Sequence, residues 1–158
     1  MKTVQVSPFF FAFESDFVDT LKCVPMIVRY KLDSCGVKLK LHEWAKFSVE
    51  QKQKLAYLAC YKESEIKDYG RFVKQLVFDQ FRYNASLLAE VNDSWNFLNQ
   101  VPQEVQQKAF EWNCSPLTLK QWISLNTLQR FALVKLSRSG HEGKNFSVAL
   151  AEFKISGK

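Results

Sequence analysis

Two stretches of this 158-residue chain echo one another, and the echo constrains the fold more than any other feature. VPMIVRYKLDSCGVKLKLHEWAKFSVEQKQKLAYL, from Val24 to Leu58, is answered between Val101 and Leu136. Placing Val24-Pro25 on Val101-Pro102, an offset of 77, sets Leu21 on Leu98, Val28 on Val105 and Lys31 on Lys108. One inserted residue raises the offset to 78. Leu39 then meets Leu117, Leu41 Leu119, Trp44 Trp122, Phe47 Leu125, Ser48 Asn126, Gln51 Gln129, Lys52 Arg130, Leu55 Leu133 and Leu58 Leu136. Leucine matches arise cheaply by chance. A shared Trp, a shared Val-Pro and a helix-capping residue followed three positions later by Gln do not. An offset near half the chain length is what an internal duplication would leave.

The echoed segments read as helical. Pro25 suits the first position of a helix, and Gly36 offers a left-handed stop. Val37 to Leu41 alternates like a strand. The matching position of Lys38, however, is Pro116, which sits badly inside a paired strand. VKLKLHEW is therefore expected to be extended at most briefly and then helical around Trp44, with Ser115-Pro116 as the matching lead-in. Ser48 and Gln51 form a capping box for the next helix. A first helix is expected after Ser15, with Phe9–Phe11 as a strap. Apolar positions from Ile66 to Val91 predict one long helix, or two joined near Asn84-Ala85-Ser86. A helix from Asn126 to about Arg138, a turn over Ser139–Gly143 and a final short helix close the chain. The expected class is all-α: a single-domain helical bundle over 1–158, with pseudo-repeats at about 21–58 and 98–136 and a long central helix.

Composition limits the function classes. An apolar fraction of 47% with five Gly and four Pro belongs to a globular chain. Fourteen Phe and four Trp call for a thick aromatic core or an exposed aromatic surface. The net charge of +6 permits an anionic partner without demanding one, and its cations are interleaved with apolar positions. Nucleic acid is disfavoured because no basic recognition helix stands out. Apolar runs fall short of the roughly 20 residues of a membrane span. MKTVQVSPFFFAF lacks a cleavage pattern, so no secretory leader is expected. Cysteines at 23, 35, 60 and 114 show no metal-ligand spacing and read as free thiols in a reducing cytoplasm. No metal and no cofactor are expected.

No enzyme motif stands out. SRSGHEGKN lacks the spacing of a phosphate loop, yet Arg138, Ser139, His141 and Lys144 beside two glycines could hold an anion. The plainer reading is a solvated turn. Arg29, Lys31 and Asp33 form the most charged part of the first echoed stretch, where Arg29 and Asp33 could pair on a helix or face a partner. His42 and Arg130 complete the candidate anion- or partner-binding set. Cys35, just before Gly36, is the thiol to test for reactivity, although a helix C-terminus raises a thiol pKa. The paired Trp44 and Trp122 are expected core keystones. Function, if local, should lie in what one copy has and the other lacks: His42 is answered by Lys120 and Cys23 by Gln100.

At FAFESDFVDTLKCVPMIVRYKLDSCGVKLKLHEWAKF, and again at LQRFALVKLSRSGHEGKNFSVALAEF, the chain resembles the nitrate-reductase-associated protein family of cyanobacteria. The resemblance runs from about Phe9 to about Phe153 and is weaker between Ala59 and Asn113. It implies a small cytoplasmic, non-catalytic accessory factor for assimilatory nitrate reductase, acting in maturation, cofactor loading or activity through protein contact. The implied partners are nitrate reductase or molybdopterin-cofactor proteins. The family supplies no catalytic residues to carry over. The alternative is a small-molecule or anion-binding sensor in nitrogen metabolism.

Overall fold

The computed structural model describes residues 10–14, 21–90, 93–138 and 143–155. The helix expected after Ser15 lies outside them. The chain divides into two compact units, Met1–Val91 and Asn92–Lys158. Both are built from helices, and the one sheet among the described residues is a two-residue ladder.

In the first unit, α1 spans Met26–Cys35 and begins one residue later than expected, with Pro25 as its N-cap. Proline offers no capping side chain, so the first N–H of the helix finds an acceptor elsewhere. Glu14, at the end of the 3-10 turn Ala12–Glu14, accepts from Met26 N at 2.7 Å and from Phe11 N at 3.0 Å. At the other end Gly36 adopts φ 75, where a side chain would be strained, and its N–H closes on the Asp33 carbonyl.

The chain then runs through β1, Val37–Lys38, into the short α2, Leu41–Lys46. α3, Val49–Tyr57, carries the expected capping box: Ser48 Oγ accepts from Gln51 N, and Ser48 N donates to Gln51 Oε1. α4, Glu63–Phe81, is the longest described helix at 19 residues. It packs across α1, with Gly70 facing Cys35 so closely that a Cβ there would stand 3.4 Å from the Cys35 Cβ, in van der Waals contact.

The helical run expected as far as Val91 stops ten residues earlier. Arg82 turns left-handed at φ 62, and Ser86–Leu87 forms β2, antiparallel to β1, with Val37 opposite Leu87 and Lys38 opposite Ser86. Leu88 N also donates to the Gly36 carbonyl at 2.9 Å. Apolar spacing alone misses this because the strand's backbone partners lie some fifty residues upstream. Val28, Val37, Trp44, Leu55, Tyr69, Val73 and Val77 are buried in this unit.

In the second unit, a 3-10 turn at Ser94–Asn96 is followed by α5, Gln103–Glu111, α6, Leu119–Ser124, α7, Thr127–Arg138, and α8, Gly143–Glu152. α7 packs on α5, on α8 and on the 3-10 turn. Thr118 caps α6, so Ser115-Pro116 belongs to the irregular segment before the cap. The Gln106 side chain holds that segment to α5, donating to the Leu117 carbonyl at 2.8 Å and accepting from Leu117 N at 2.9 Å. Asn126 and Gln129 exchange the same pair of bonds at the head of α7 as Ser48 and Gln51 do at the head of α3.

The starts of α1 and α5 differ by 77 residues, those of α2 and α6 by 78, and those of α3 and α7 by 78. Trp44 and Trp122 are both fully buried, and each indole N–H donates to a backbone carbonyl: Leu21 at 2.9 Å and Phe97 at 2.6 Å.

Candidate functional site

Two of the cations singled out in the sequence, Lys31 and Arg130, are turned inward. Lys31 is buried on α1, where its ammonium donates to the Ala56 carbonyl at 2.7 Å and the Leu58 carbonyl at 2.6 Å. Both are unpaired acceptors at the end of α3, where positive charge is favoured. The ammonium also stands about 6 Å from the Tyr61 and Tyr69 ring centres, at 5.9 and 6.0 Å. Burial pushes its pKa down to about 8. The carbonyls and ring faces favour the charged form and oppose that shift.

Arg130 is the corresponding inward cation of the second unit. It is buried on α7, with Nε donating to the Trp95 carbonyl at 2.7 Å, Nη1 to the Leu125 carbonyl and Nη2 to Thr127 Oγ1. Burial lowers its pKa. Lys52, its match in the echo, is buried too, with its ammonium 5.5 Å from the Trp44 ring centre. Lys31 and Arg130 tie helix ends and loops together and present no donor fork to solvent.

Arg29 is half-buried, and its Nε donates to the Val24 carbonyl at 3.2 Å, folding back on the start of α1. Asp33 lies one turn further along the same helix. Cys35 Sγ points to the Leu32 carbonyl at 3.4 Å, and burial raises its pKa. The thiolate fraction at neutral pH is thereby reduced. Cys60 is buried nearby, with Sγ on the Lys31 carbonyl, and burial pushes its thiol up to about 12.

Arg138 pairs with Glu104, with Nη2 at 2.7 Å and Nε at 3.0 Å from the same carboxylate oxygen. Ser139, His141 and the Lys144 side chain lie outside the described residues. Among the described residues no group of three His, Cys, Asp or Glu side chains is placed to hold a metal.

His42 reaches solvent within a polar network. Its Nε2 lies 3.2 Å from the Tyr83 hydroxyl, which donates to Glu43 Oε2 at 2.7 Å. The other Glu43 oxygen accepts from Lys40 N at 2.8 Å. That hydrogen bond to Glu43 raises the Tyr83 pKa. Phe81 meets the His42 ring edge-on at 5.6 Å. Glu43 and Tyr83 were invisible as site residues in the sequence: forty positions separate them, and Glu43 read only as a helix residue.

The first unit also holds an open groove of about 720 Å3 between α3 and α4. Glu50, Gln53, Lys54 and Tyr57 line one wall, and Phe72 and Leu76 the other. The Lys54 ammonium lies 5.4 Å from the Phe72 ring centre. In each unit large apolar side chains remain in solvent, among them Leu41 and Phe78 in the first and Phe110 and Trp112 in the second.

A family model described as conserved nitrate reductase-associated protein matches residues 10–153. No curated protein matches the chain, and no solved structure does.

Proposed function

We propose that this chain, which belongs to the conserved nitrate reductase-associated protein family, is a non-catalytic accessory factor that contacts assimilatory nitrate reductase. Its assistance would fall in the reductase's maturation, cofactor loading or activity, in the cytoplasm. The family match over 10–153 carries this reading. The disposition of charge supports it. Lys31, Arg130 and Arg138, the strongest anion-binding candidates among the described residues, are engaged by carbonyls or by Glu104. The large exposed apolar side chains suit protein contact better than capture of a small anion. No described helix is long and apolar enough to cross a membrane.

Affinity capture of the tagged chain from nitrate-grown cells, with the reductase identified in the eluate, tests the reading. Recovery of neither the reductase nor a molybdopterin-cofactor protein would refute it. Arg138→Ala combined with Lys144→Ala tests whether the basic turn takes part in cofactor loading; unchanged molybdenum content of the reductase would remove the turn from the account.

The groove between α3 and α4 favours a second reading, a small-molecule sensor in nitrogen metabolism. Thermal-shift measurements with nitrate, molybdate, nucleotides and pterins address it, and a flat response to all would set it aside.

A further inference from the structure

α4 divides its surface sharply. Tyr69, Val73, Leu76 and Val77 are buried, whereas Lys67, Arg71, Lys74 and Phe78 are exposed. At 3.6 residues per turn, spacings of four, three and four place these last residues on one stripe, and Arg82, four further on, extends it past the helix end. From Lys67 to Arg82 the stripe covers about 22 Å. Two exposed carboxylates flank it. Asp68 pairs with Arg71 at 2.6 Å, with both side chains mostly in water, and Gln75 Nε2 donates to Asp79 at 2.7 Å. Lys67 and Lys74 form no ion pair among the described residues.

Two features distinguish this stripe from an ordinary wet helix face. Phe78 keeps 42% of its surface exposed between Lys74 and Arg82 on the stripe, and the Arg82 guanidinium lies 5.7 Å from its ring centre. Arg82 itself occupies φ 62, a conformation that glycine or asparagine adopts with less strain. Elsewhere Lys31, Lys52 and Arg130 are buried within the fold. Here the cations stand outward along one stripe and Arg82 lies against an aromatic ring, a combination of arginine, aromatic and positive charge that suits the centre of a protein interface.

We propose that the Lys67–Arg71–Lys74–Phe78–Arg82 stripe docks an acidic protein surface bearing an apolar recess for Phe78. Taking nitrate reductase as that partner rests on the functional reading above. The acidic groups would pair along the cations and the ring would fill the recess, so attraction would set the approach and the aromatic the residence time.

The experiment measures binding of the purified reductase holoenzyme to the full chain by surface plasmon resonance. The expected result is affinity that falls about tenfold or more between about 0.05 and 0.3 M salt. Lys67→Glu with Arg71→Glu and Lys74→Glu should reduce it by at least about a hundredfold, and Phe78→Ala by about tenfold. Lys67→Ala with Lys74→Ala, together with Arg82→Asn, provides a second set that preserves helix propensity and the left-handed turn. Circular dichroism establishes that each variant is folded. Wild-type binding that every variant retains would overturn the stripe and leave the functional reading standing. No wild-type binding would overturn the functional reading and the partner assignment with it. Stripe-dependent binding of duplex DNA in place of the reductase, or stripe-dependent dimerisation seen by light scattering, would overturn the choice of a protein partner of opposite charge.

Discussion

Lys31 Nζ donates to the Ala56 carbonyl at 2.7 Å, so a side chain of α1 finishes the last turn of α3. A buried lysine with no carboxylate beside it would be costly, and the helix-end carbonyls are what make it tolerable. Lys31→Met should destabilise the protein by about 2 kcal/mol at neutral pH in urea titration, because those carbonyls lose a charged donor. The pH dependence is more telling. A lysine lowered from 10.5 to about 8 holds fewer protons folded than unfolded in that interval. The ionisation-linked part of its contribution therefore rises with pH, being complete above about 10.5 and lost as pH falls through about 8, while the hydrogen bonds to the carbonyls set the difference that remains at neutral pH. The stability of wild type relative to Lys31→Met should grow from pH 8 upward; a constant difference would contradict the shift.

Cys60 predicts the opposite slope. Its thiol is raised from 9.0 to about 12 by burial, so the folded state holds the proton more tightly. That contribution is intact below pH 9 and drains away as pH rises toward 12. Chemical denaturation of wild type and Cys60→Ala across this range should show a shallower alkaline loss in the variant, after a cavity cost of about 1 kcal/mol at pH 7.

Trp44 and Trp122 should behave alike. Each is fully buried and each donates its indole N–H to a carbonyl of the segment preceding its unit's first described α-helix. Replacing either with Phe removes a hydrogen bond and part of a ring, for about 2–3 kcal/mol each. We read the two as equivalent keystones of the two units. Equal losses for Trp44→Phe and Trp122→Phe in calorimetry would support that reading, and a difference of several kcal/mol would oppose it.

Glu14 stands in for the cap that Pro25 cannot supply. Glu14→Ala should cost about 1–2 kcal/mol, comparable to losing an N-cap, whereas Glu14→Gln retains an acceptor and should cost less. Amide exchange at Met26, faster in Glu14→Ala than in Glu14→Gln, would localise the effect to the start of α1.

Local chemistry made much of this fold readable. Gly36 ends α1 because glycine takes φ 75 with less backbone strain than a residue bearing a side chain, and the Ser48/Gln51 box starts α3 because those groups satisfy each other's backbone. Signals of that kind act within four residues. Near Arg82 the local signal was incomplete: Asn84-Ala85-Ser86 allowed a joint between helices, whereas the left-handed turn and the pairing with Val37–Lys38 depend on residues far upstream. The candidate site was less legible for a related reason. Lys31 and Arg130 looked like surface charge in sequence, yet their acceptors are carbonyls 25 and 35 positions away. Cations that do face solvent, such as Lys74, carry no pattern until helix phase separates them from Tyr69 and Val73.

The ladder joining Val37 to Leu87 has a kinetic consequence. It closes a loop of some fifty residues, at an entropic cost of about 3 kcal/mol that two strand residues per side barely offset. The helices inside the loop must therefore be largely assembled before the clasp can hold, which makes it among the last contacts to form and the first to open. During synthesis, the first unit stays unlatched until Leu87 has cleared the ribosome. An early stop anywhere within α4 would release its partners as an open chain.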